Sequence, residues 1–214
     1  AKALTEALLF PTDSRKLLIT DADQTLWRGV VGDDGADAIS WAQEADTYRH
    51  FIYQKTLNLL MSEGILVALA SKNSPQALTA ALARSDLILN RGGLACTRAS
   101  WAPKSEMIAD ILSETNLLSS AVVYVDDSEF ELGEVGDAYP EIKCLKFPDD
   151  NLGLRSFLQN LRSSFDTRVV THEDQNRFHT IKQAANFDRE RRAAGSLEHY
   201  LRSLDMRAKI EKID

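Results

Sequence analysis

Short apolar segments that end in polar residues, with helical patterns between them, are the feature that most constrains the fold of this chain. Four such segments are rich in β-branched residues and bounded by turn residues: "KLLITD" (Lys16–Asp21), "ILVALAS" (Ile65–Ser71), "AVVYVDD" (Ala121–Asp127) and "IKCLKF" (Ile142–Phe147). Their length and composition favour buried strands over helices.

Helical patterns occupy the intervals between these strands. Apolar residues recur at three- and four-residue steps in segments 48–63 and 105–118, and a shorter helix is predicted over 129–137. Pro75 is well placed to open a further helix over 76–84, because proline is tolerated in a first turn. Strands that alternate with helices form βαβ units, so we expect an α/β fold with a mainly parallel sheet.

The composition of the chain shifts after about residue 165, which predicts two units. Residues 1–165 are predicted to form the catalytic domain, and residues 166–214 a small C-terminal α/β extension. This extension is polar and charged over 171–188, and we expect a helix over 196–204 and a strand over 207–213. It either packs on the core or belongs to a larger domain.

The net charge of −7 and the pI of about 5.2 argue against nucleic acid or an anionic membrane as the main partner. No apolar run approaches the roughly 18 residues of a membrane span, and the N-terminus lacks a signal-peptide pattern. The two cysteines match no zinc-binding spacing. We therefore expect a cytoplasmic protein, and the absence of an initiator Met favours an excised domain.

Reactive polar residues stand where the predicted strands end. They are Asp21 and Asp23 after the first strand, Ser71 after the second, Asp126 and Asp127 after the third, and Lys104 at the start of a helix. Each of them alone is commonly a turn residue or a helix cap. Because the carboxyl ends of parallel strands meet at one edge of a sheet, we expect these side chains to lie together.

Carboxylates crowded at one point repel each other unless a hard cation binds them. Mg²⁺ prefers oxygen ligands, which predicts a magnesium site built from Asp21, Asp126, the main-chain carbonyl of Asp23 and also Asp127.

A carboxylate can attack phosphorus and form an aspartyl-phosphate, and Asp21 is the candidate nucleophile. Asp23 is the candidate acid/base, which protonates the leaving oxygen and then activates water. The predicted phosphate-binding groups are those of Thr25, Ser71, Lys72, Asn73 and Lys104.

The order of these motifs resembles that of the haloacid-dehalogenase-like (HAD) superfamily of phosphotransferases. The matching stretches are "DADQT" (Asp21–Thr25), Ser71, Lys104 and "VDDSEFE" (Val125–Glu131). The resemblance implies a Rossmannoid three-layer sandwich, an aspartate nucleophile, an aspartate acid/base and Mg²⁺.

Further stretches narrow the resemblance to the FkbH-like family. They are "TLWRGVVGDDG" (Thr25–Gly35), "LASKNS" (Leu69–Ser74), "WAPKSEMI" (Trp101–Ile108), "VTHEDQNR" (Val170–Arg177) and "SLEHYLRSLDMRAKI" (Ser196–Ile210). The resemblance implies that the chain removes phosphate from 1,3-bisphosphoglycerate and passes the glyceryl group to an acyl carrier protein in polyketide biosynthesis. It leaves open whether the chain acts alone or as one domain of a polyketide synthase.

One position departs from the pattern that the resemblance implies. Members of the family often carry a thiol just before the Ser-Lys-Asn motif, where this chain has Ala70. Alanine cannot hold a thioester. Three interpretations stay open: an engineered Cys→Ala form, a natural variant with lost or changed acyl transfer, or another thiol, for which Cys96 is the local candidate.

The intervals between the motifs leave no room for a large cap domain. A glycine-rich segment, 29–35, predicts only a β-flap over the site. Such an open site suits a carrier protein.

A Mg²⁺-dependent phosphatase without acyl transfer is the alternative function, since it needs no thiol. A non-catalytic interaction module is a third hypothesis.

Overall fold

The computed structural model of the protein describes residues 15–44 and 46–165, together with Thr180. In this part of the chain five strands form one sheet: Leu17–Thr20 (β1), Leu66–Ser71 (β2), Cys96–Ala99 (β3), Val122–Asp126 (β4) and Lys143–Lys146 (β5). Six helices accompany them: Val31–Asp34 (α1), Tyr48–Ser62 (α2), Pro75–Leu82 (α3), Lys104–Thr115 (α4), Glu129–Ala138 (α5) and Leu154–Ser163 (α6). Apart from Thr180, the extension predicted over 166–214 lies outside the described residues.

The sheet is parallel throughout, with the strand order β3-β2-β1-β4-β5. The central strand β1 pairs with β2 on one side and β4 on the other, so that Leu17 lies opposite both Leu66 and Val122. All carboxyl strand ends therefore lie at the same edge, and the predicted α/β fold with a mainly parallel sheet is confirmed.

Alternate strand residues face two different helical layers, because successive side chains of a strand point to opposite faces. Leu18 belongs to the apolar cluster that also contains residues of α2, α3 and α6. Leu17 and Ile19 belong to the cluster that contains residues of α4 and α5. The result is the three-layer sandwich that the motif order predicted. Among the described residues, no helix combines the length and the apolar character needed to cross a membrane.

The sequence patterns did not predict three elements, namely β3, α6 and the short helix α1 within the flap. β3 is four residues long and pairs with β2 at the edge of the sheet, where Thr97 is exposed and Arg98 half-buried, so it contains no apolar run. α6 buries Leu154, Phe157 and Leu161. Their spacing of three and four residues is a helical signal that the sequence does contain.

The flap between β1 and α2, residues 28–40, is closed by one bridge and contains one helical turn. Arg28 and Ser40 form an isolated antiparallel bridge, and α1 lies between them. Gly29 has a φ of +107°, which favours glycine, and directly follows the bridge residue Arg28. Arg84, at the end of α3, donates to the carbonyls of Ala36 and Ile39 at 2.8 and 2.7 Å and thereby fixes the base of the flap.

Candidate active site

Three carboxylates converge at the carboxyl edge of the sheet. Asp21 follows β1, Asp126 ends β4 and Asp127 comes next, and one oxygen of each lies within 4.8 Å of the others. Asp21 and Asp126 are buried, whereas Asp127 is half-buried. The backbone N–H of Asp21 donates to the carbonyl of Val125 at 2.9 Å, which fixes the end of β1 against β4. The predicted convergence of these strand ends is present in the structure.

Lys104 is the cation of this cluster. It is the first residue of α4, and its side chain is only 2% exposed. The ammonium nitrogen lies 2.5 Å from Oδ1 of Asp21 and 3.3 Å from Oδ2 of Asp126, and it donates to the carbonyl of Ala70 at 2.7 Å. These three acceptors match the three protons of an ammonium group. Lys104 therefore balances one of the three carboxylate charges.

Burial and the neighbouring charges both act on the pKa values of the carboxyl groups in this cluster. Burial, with a smaller contribution from the charge of Asp126, raises the pKa of Asp21 to about 7, against the lowering effect of Lys104. Burial, and next the charge of Asp126, also raise the pKa of Asp127. Three carboxylates against the one ammonium of Lys104 leave the cluster with an excess of negative charge when all are ionised. Closely spaced carboxylate oxygens with unbalanced charge fit a bound divalent cation such as Mg²⁺.

The carboxylate of Asp23 is held apart from this cluster. Its Oδ1 accepts hydrogen bonds from Trp27 Nε1 at 2.8 Å and from the backbone N–H of Val31 at 3.1 Å. Its Oδ2 accepts from Asn73 Nδ2 at 2.7 Å. Gln24 follows with a left-handed φ of +54°, which turns the chain after the strand. Asp21 and Asp23, two residues apart, thus occupy different surroundings.

The other predicted phosphate-binding side chains contact different groups of the protein. Asn73 Nδ2 donates to Ser71 Oγ at 2.9 Å as well as to Asp23, and Thr25 Oγ1 donates to Asp127 Oδ1 at 3.3 Å. The ammonium of Lys72 forms an ion pair with Glu131 at 2.7 Å. The polar groups of Thr25, Lys72 and Asn73 thus contact protein groups, and their phosphate-binding roles stay predictions.

Several contributors were not predicted from the sequence. The hydroxyl of Tyr124 donates to Asp126 Oδ2, and the backbone N–H of Ser128 donates to Oδ1 of the same carboxylate at 2.9 Å. Tyr124 precedes Asp126 by two residues, and the period of a strand places such residues on one face. Burial, and next the charge of Asp126, raise the pKa of Tyr124, which keeps its hydroxyl a donor. Glu134, which caps α4 from another helix, has no comparable signal in the sequence.

Neither of the positions considered for an acyl-carrying thiol offers an accessible nucleophile. Ala70 is 0% exposed and belongs to the apolar cluster that contains residues of α4 and α5. Cys96 is buried and lies opposite Ala68 in the sheet, not at the carboxyl strand ends. Burial, and next the charge of Glu114, raise the pKa of its thiol to about 12. A thiol in this state is a poor nucleophile, so the geometry argues against the interpretation that Cys96 carries the acyl group.

The parallel sheet, its strand order and the acidic strand ends define a fold class, the HAD-like Rossmannoid fold. One similar solved structure is the N-terminal part of protein BF1531 from Bacteroides fragilis, containing a phosphatase domain complexed with Mg. It has 28% sequence identity and a TM-score of 0.69 over 76% of this chain and 43% of that chain. The described protein thus spans less than half of that neighbour's length.

A second solved structure has the same fold at lower identity. It is a putative HAD-like phosphatase from Mesorhizobium loti, with 16% identity and a TM-score of 0.51 over 72% of this chain and 90% of that chain. No protein-family model and no curated protein matches the chain. The fold is therefore established by structural likeness.

Proposed function

We propose that this protein is a Mg²⁺-dependent phosphatase of the HAD type, with Asp21 as its nucleophile. The observation that carries the proposal is the contact of Asp21 with Lys104 inside the acidic cluster, while Asp23 is held separately by other donors. Two carboxylates in different surroundings can take different roles in one reaction. The Mg-complexed phosphatase domain of the Bacteroides neighbour supports the proposal.

Asp21, Asp126 and Asp127, with the main-chain carbonyl of Asp23, are the groups proposed to hold Mg²⁺. When bound, the ion supplies positive charge that the phosphoryl oxygens and the carboxylates share.

The chain's own residues then account for two displacement steps. Asp21 attacks phosphorus and forms an acyl-phosphate bond, while the bond from phosphorus to the leaving oxygen breaks and Asp23 donates a proton to that oxygen. In the second step Asp23 takes a proton from a water molecule that attacks the same phosphorus. The bond to Asp21 breaks, and inorganic phosphate leaves. Lys104 offsets negative charge at the nucleophile in both steps.

The test is phosphate release from p-nitrophenyl phosphate and a panel of phosphate monoesters, with and without Mg²⁺. Asp21→Asn and Asp23→Asn each remove one proposed chemical role, so kcat is expected to fall by a factor on the order of 10³ or more. Asp137→Asn, at an exposed position of α5, is the matched control and retains full activity. Undiminished turnover by Asp21→Asn, or no turnover by the wild type, would exclude the proposal.

A second candidate function is phosphate removal from 1,3-bisphosphoglycerate coupled to glyceryl transfer onto an acyl carrier protein. It rests on the FkbH-like motifs and on the size of the described insertions: between β1 and β2 lie only the flap and α2, which leaves room for a macromolecular partner. Ala70 counts against it, because neither a thiol nor an exposed side chain is present there.

Intact-mass analysis of a phosphopantetheinylated carrier protein distinguishes the two candidates. The carrier is incubated with bisphosphoglycerate, Mg²⁺ and either the wild type or Ala70→Cys. A glyceryl adduct in either reaction supports transfer. No adduct in both, with phosphate released at the same rate without carrier, supports hydrolysis alone.

A further inference from the structure

Helix α5 presents two carboxylates to neighbouring segments of the site. Glu131 and Glu134 are three residues apart, which places them on one face of the helix. Glu131 binds the ammonium of Lys72, next to Ser71. Glu134 reaches the first turn of α4, where Lys104 begins the helix. One helix thus contacts both segments that follow β2 and β3.

The contact of Glu134 satisfies a specific need of α4. The first backbone N–H groups of a helix have no partner within the helix, and Pro103 at the N-cap position provides no side-chain acceptor. Glu134 Oε2 accepts from the N–H of Lys104 at 2.9 Å, and Oε1 accepts from the N–H of Ser105 at 3.2 Å and from its hydroxyl. The negative charge also suits the positive end of the helix dipole. Glu134 therefore caps α4 from another helix.

This cap determines where the side chain of Lys104 starts. At one end of this buried side chain, Glu134 binds the backbone N–H of Lys104. At the other end, the ammonium contacts Asp21, Ala70 and Asp126. A shift of the first turn of α4 moves the ammonium away from the nucleophile. We propose that Glu134 is a positioning residue for Lys104, and through it for the phosphatase reaction proposed above. The catalytic consequence rests on that proposed function, whereas the positioning does not.

Chemical labelling measures the position of Lys104 without any need for activity. Folded protein receives a brief pulse of acetic anhydride, and mass spectrometry follows acetylation of Lys104 relative to the exposed Lys55 on α2. Lys104 is protected in the wild type because its ammonium is buried. In Glu134→Ala its relative labelling rises by about tenfold or more, because the first turn opens locally. Glu134→Gln keeps one acceptor oxygen and gives an intermediate value.

Kinetics with p-nitrophenyl phosphate and Mg²⁺ measure the consequence for turnover. Glu134→Ala lowers kcat by about 10- to 100-fold, as expected for a misplaced catalytic group, whereas Asp137→Ala on the same helix changes it less than about twofold. In a Lys104→Ala background, Glu134→Ala has no further effect beyond about twofold, because the group it positions is absent. A merely structural role for Glu134 would lower kcat equally in both backgrounds.

The outcomes separate the two proposals. If the wild type releases no phosphate, the proposed function fails, and Lys104 labelling alone decides whether Glu134 positions this side chain. If the wild type is active, the inference requires two results. Labelling of Lys104 must increase in Glu134→Ala, and this substitution must lower kcat only in protein that retains Lys104. Unchanged labelling, an unchanged kcat or an equal loss in both backgrounds overturns it. Should Glu134→Ala not fold, Glu134→Gln and Ser105→Ala give the same comparison.

Discussion

At the scale of single residues, Asn73 connects the segment after β1 with the end of β2 through one amide group. Its Nδ2 donates to both Asp23 and Ser71, and the residue is 1% exposed. Its Oδ1 is buried and has no hydrogen-bond partner among the described residues. A buried acceptor without a partner costs about 1–3 kcal/mol. The side chain is therefore better explained by the orientation it gives Asp23 than by stability.

Substitution of Asn73 by Ala tests this role. We expect kcat toward p-nitrophenyl phosphate to fall by about 10- to 100-fold, because Asp23 loses a donor that fixes its Oδ2. The free energy of unfolding is expected to change by about 1 kcal/mol or less, because the unpaired acceptor is removed together with the donor. Denaturant titration and steady-state kinetics provide both values. Gln76→Ala, exposed at the start of α3, is the control, and equal kcat values in the two variants would contradict the role.

The convergence of Asp21, Lys104 and Asp126 could be predicted from the sequence, because parallel strand ends share an edge. The orientation of Asp23 could not. It depends on the left-handed turn at Gln24 and on a donor from the flap, Val31, and no local pattern encodes either contact. The hydrogen bond from Asn73, which lies 50 positions along the chain from Asp23, likewise arises only in the folded geometry.

At the scale of elements, the flap and Asp23, the proposed acid/base, form one unit. The backbone N–H of Val31 in α1 donates to Asp23, and α1 packs on α3. A Cβ added at Gly32 would lie 3.1 Å from Oδ1 of Asn73, which is closer than an ordinary contact. The flap thus approaches the site so closely that a side chain at this point would have to displace its neighbour.

Gly32→Ala should displace either α1 or Asn73 by a few tenths of an ångström. We expect kcat to fall several-fold with little loss of stability, because the disturbed contacts are those that orient Asp23. Gly133→Ala in α5 is the matched control. No atom lies within 4 Å of its added Cβ, and Ala is favoured over Gly within a helix by about 0.5–1 kcal/mol. If both variants show the wild-type kcat, the flap does not orient Asp23.

The elements that the sequence analysis missed do not share one physical reason. Edge strand β3 is half-solvated and short, so its composition does not differ from that of a loop. The flap was predicted as β structure, and its single bridge between Arg28 and Ser40 agrees with this, but α1 is a helical turn within it. Burial on both faces, in contrast, makes β1, β2 and β4 continuous apolar runs that the sequence reveals.

At the scale of the whole molecule, His50 links stability to pH. It is fully buried on α2, its Nδ1 lies 2.9 Å from the carbonyl of Thr25, and its Nε2 has no hydrogen-bond partner among the described residues. Burial lowers the pKa of His50 from 6.5 to about 4. Between pH 4 and pH 6.5, this imidazole therefore binds a proton in the unfolded chain but not in the folded protein. The contribution of His50 to stability is constant above pH 6.5 and declines as the pH falls toward 4.

His50→Gln removes this titration and retains a donor for Thr25. Between pH 7.5 and 4.5, the loss of unfolding free energy is expected to be smaller in His50→Gln than in the wild type by about 2–3 kcal/mol. Urea titrations at the two pH values measure the difference. Parallel losses in the two proteins would show that folding does not lower the pKa of His50.

Binding of Mg²⁺ should stabilise the whole protein through the acidic cluster. An ion that binds only the folded state adds about 2.7 kcal/mol to the free energy of unfolding when its concentration is 100 times its Kd. We expect the Tm to rise with Mg²⁺ and to return to its original value with EDTA. Asp126→Asn should remove most of this rise, while Asp149→Asn, which pairs with Lys146 on the surface, should leave it unchanged. A Tm that Mg²⁺ does not affect would contradict the proposed metal site.

The central position of β1 also has a consequence for folding kinetics. The contact of Lys104 with Asp21 joins residues 83 positions apart, and that of Thr25 with Asp127 joins residues 102 positions apart. Such pairs form only after a large loss of chain entropy, which makes parallel sheets slow to fold. In a refolding experiment, helical circular dichroism should therefore recover before catalytic competence. Regain of turnover would report on complete assembly of the sheet, because no fragment of the sequence brings these side chains together earlier.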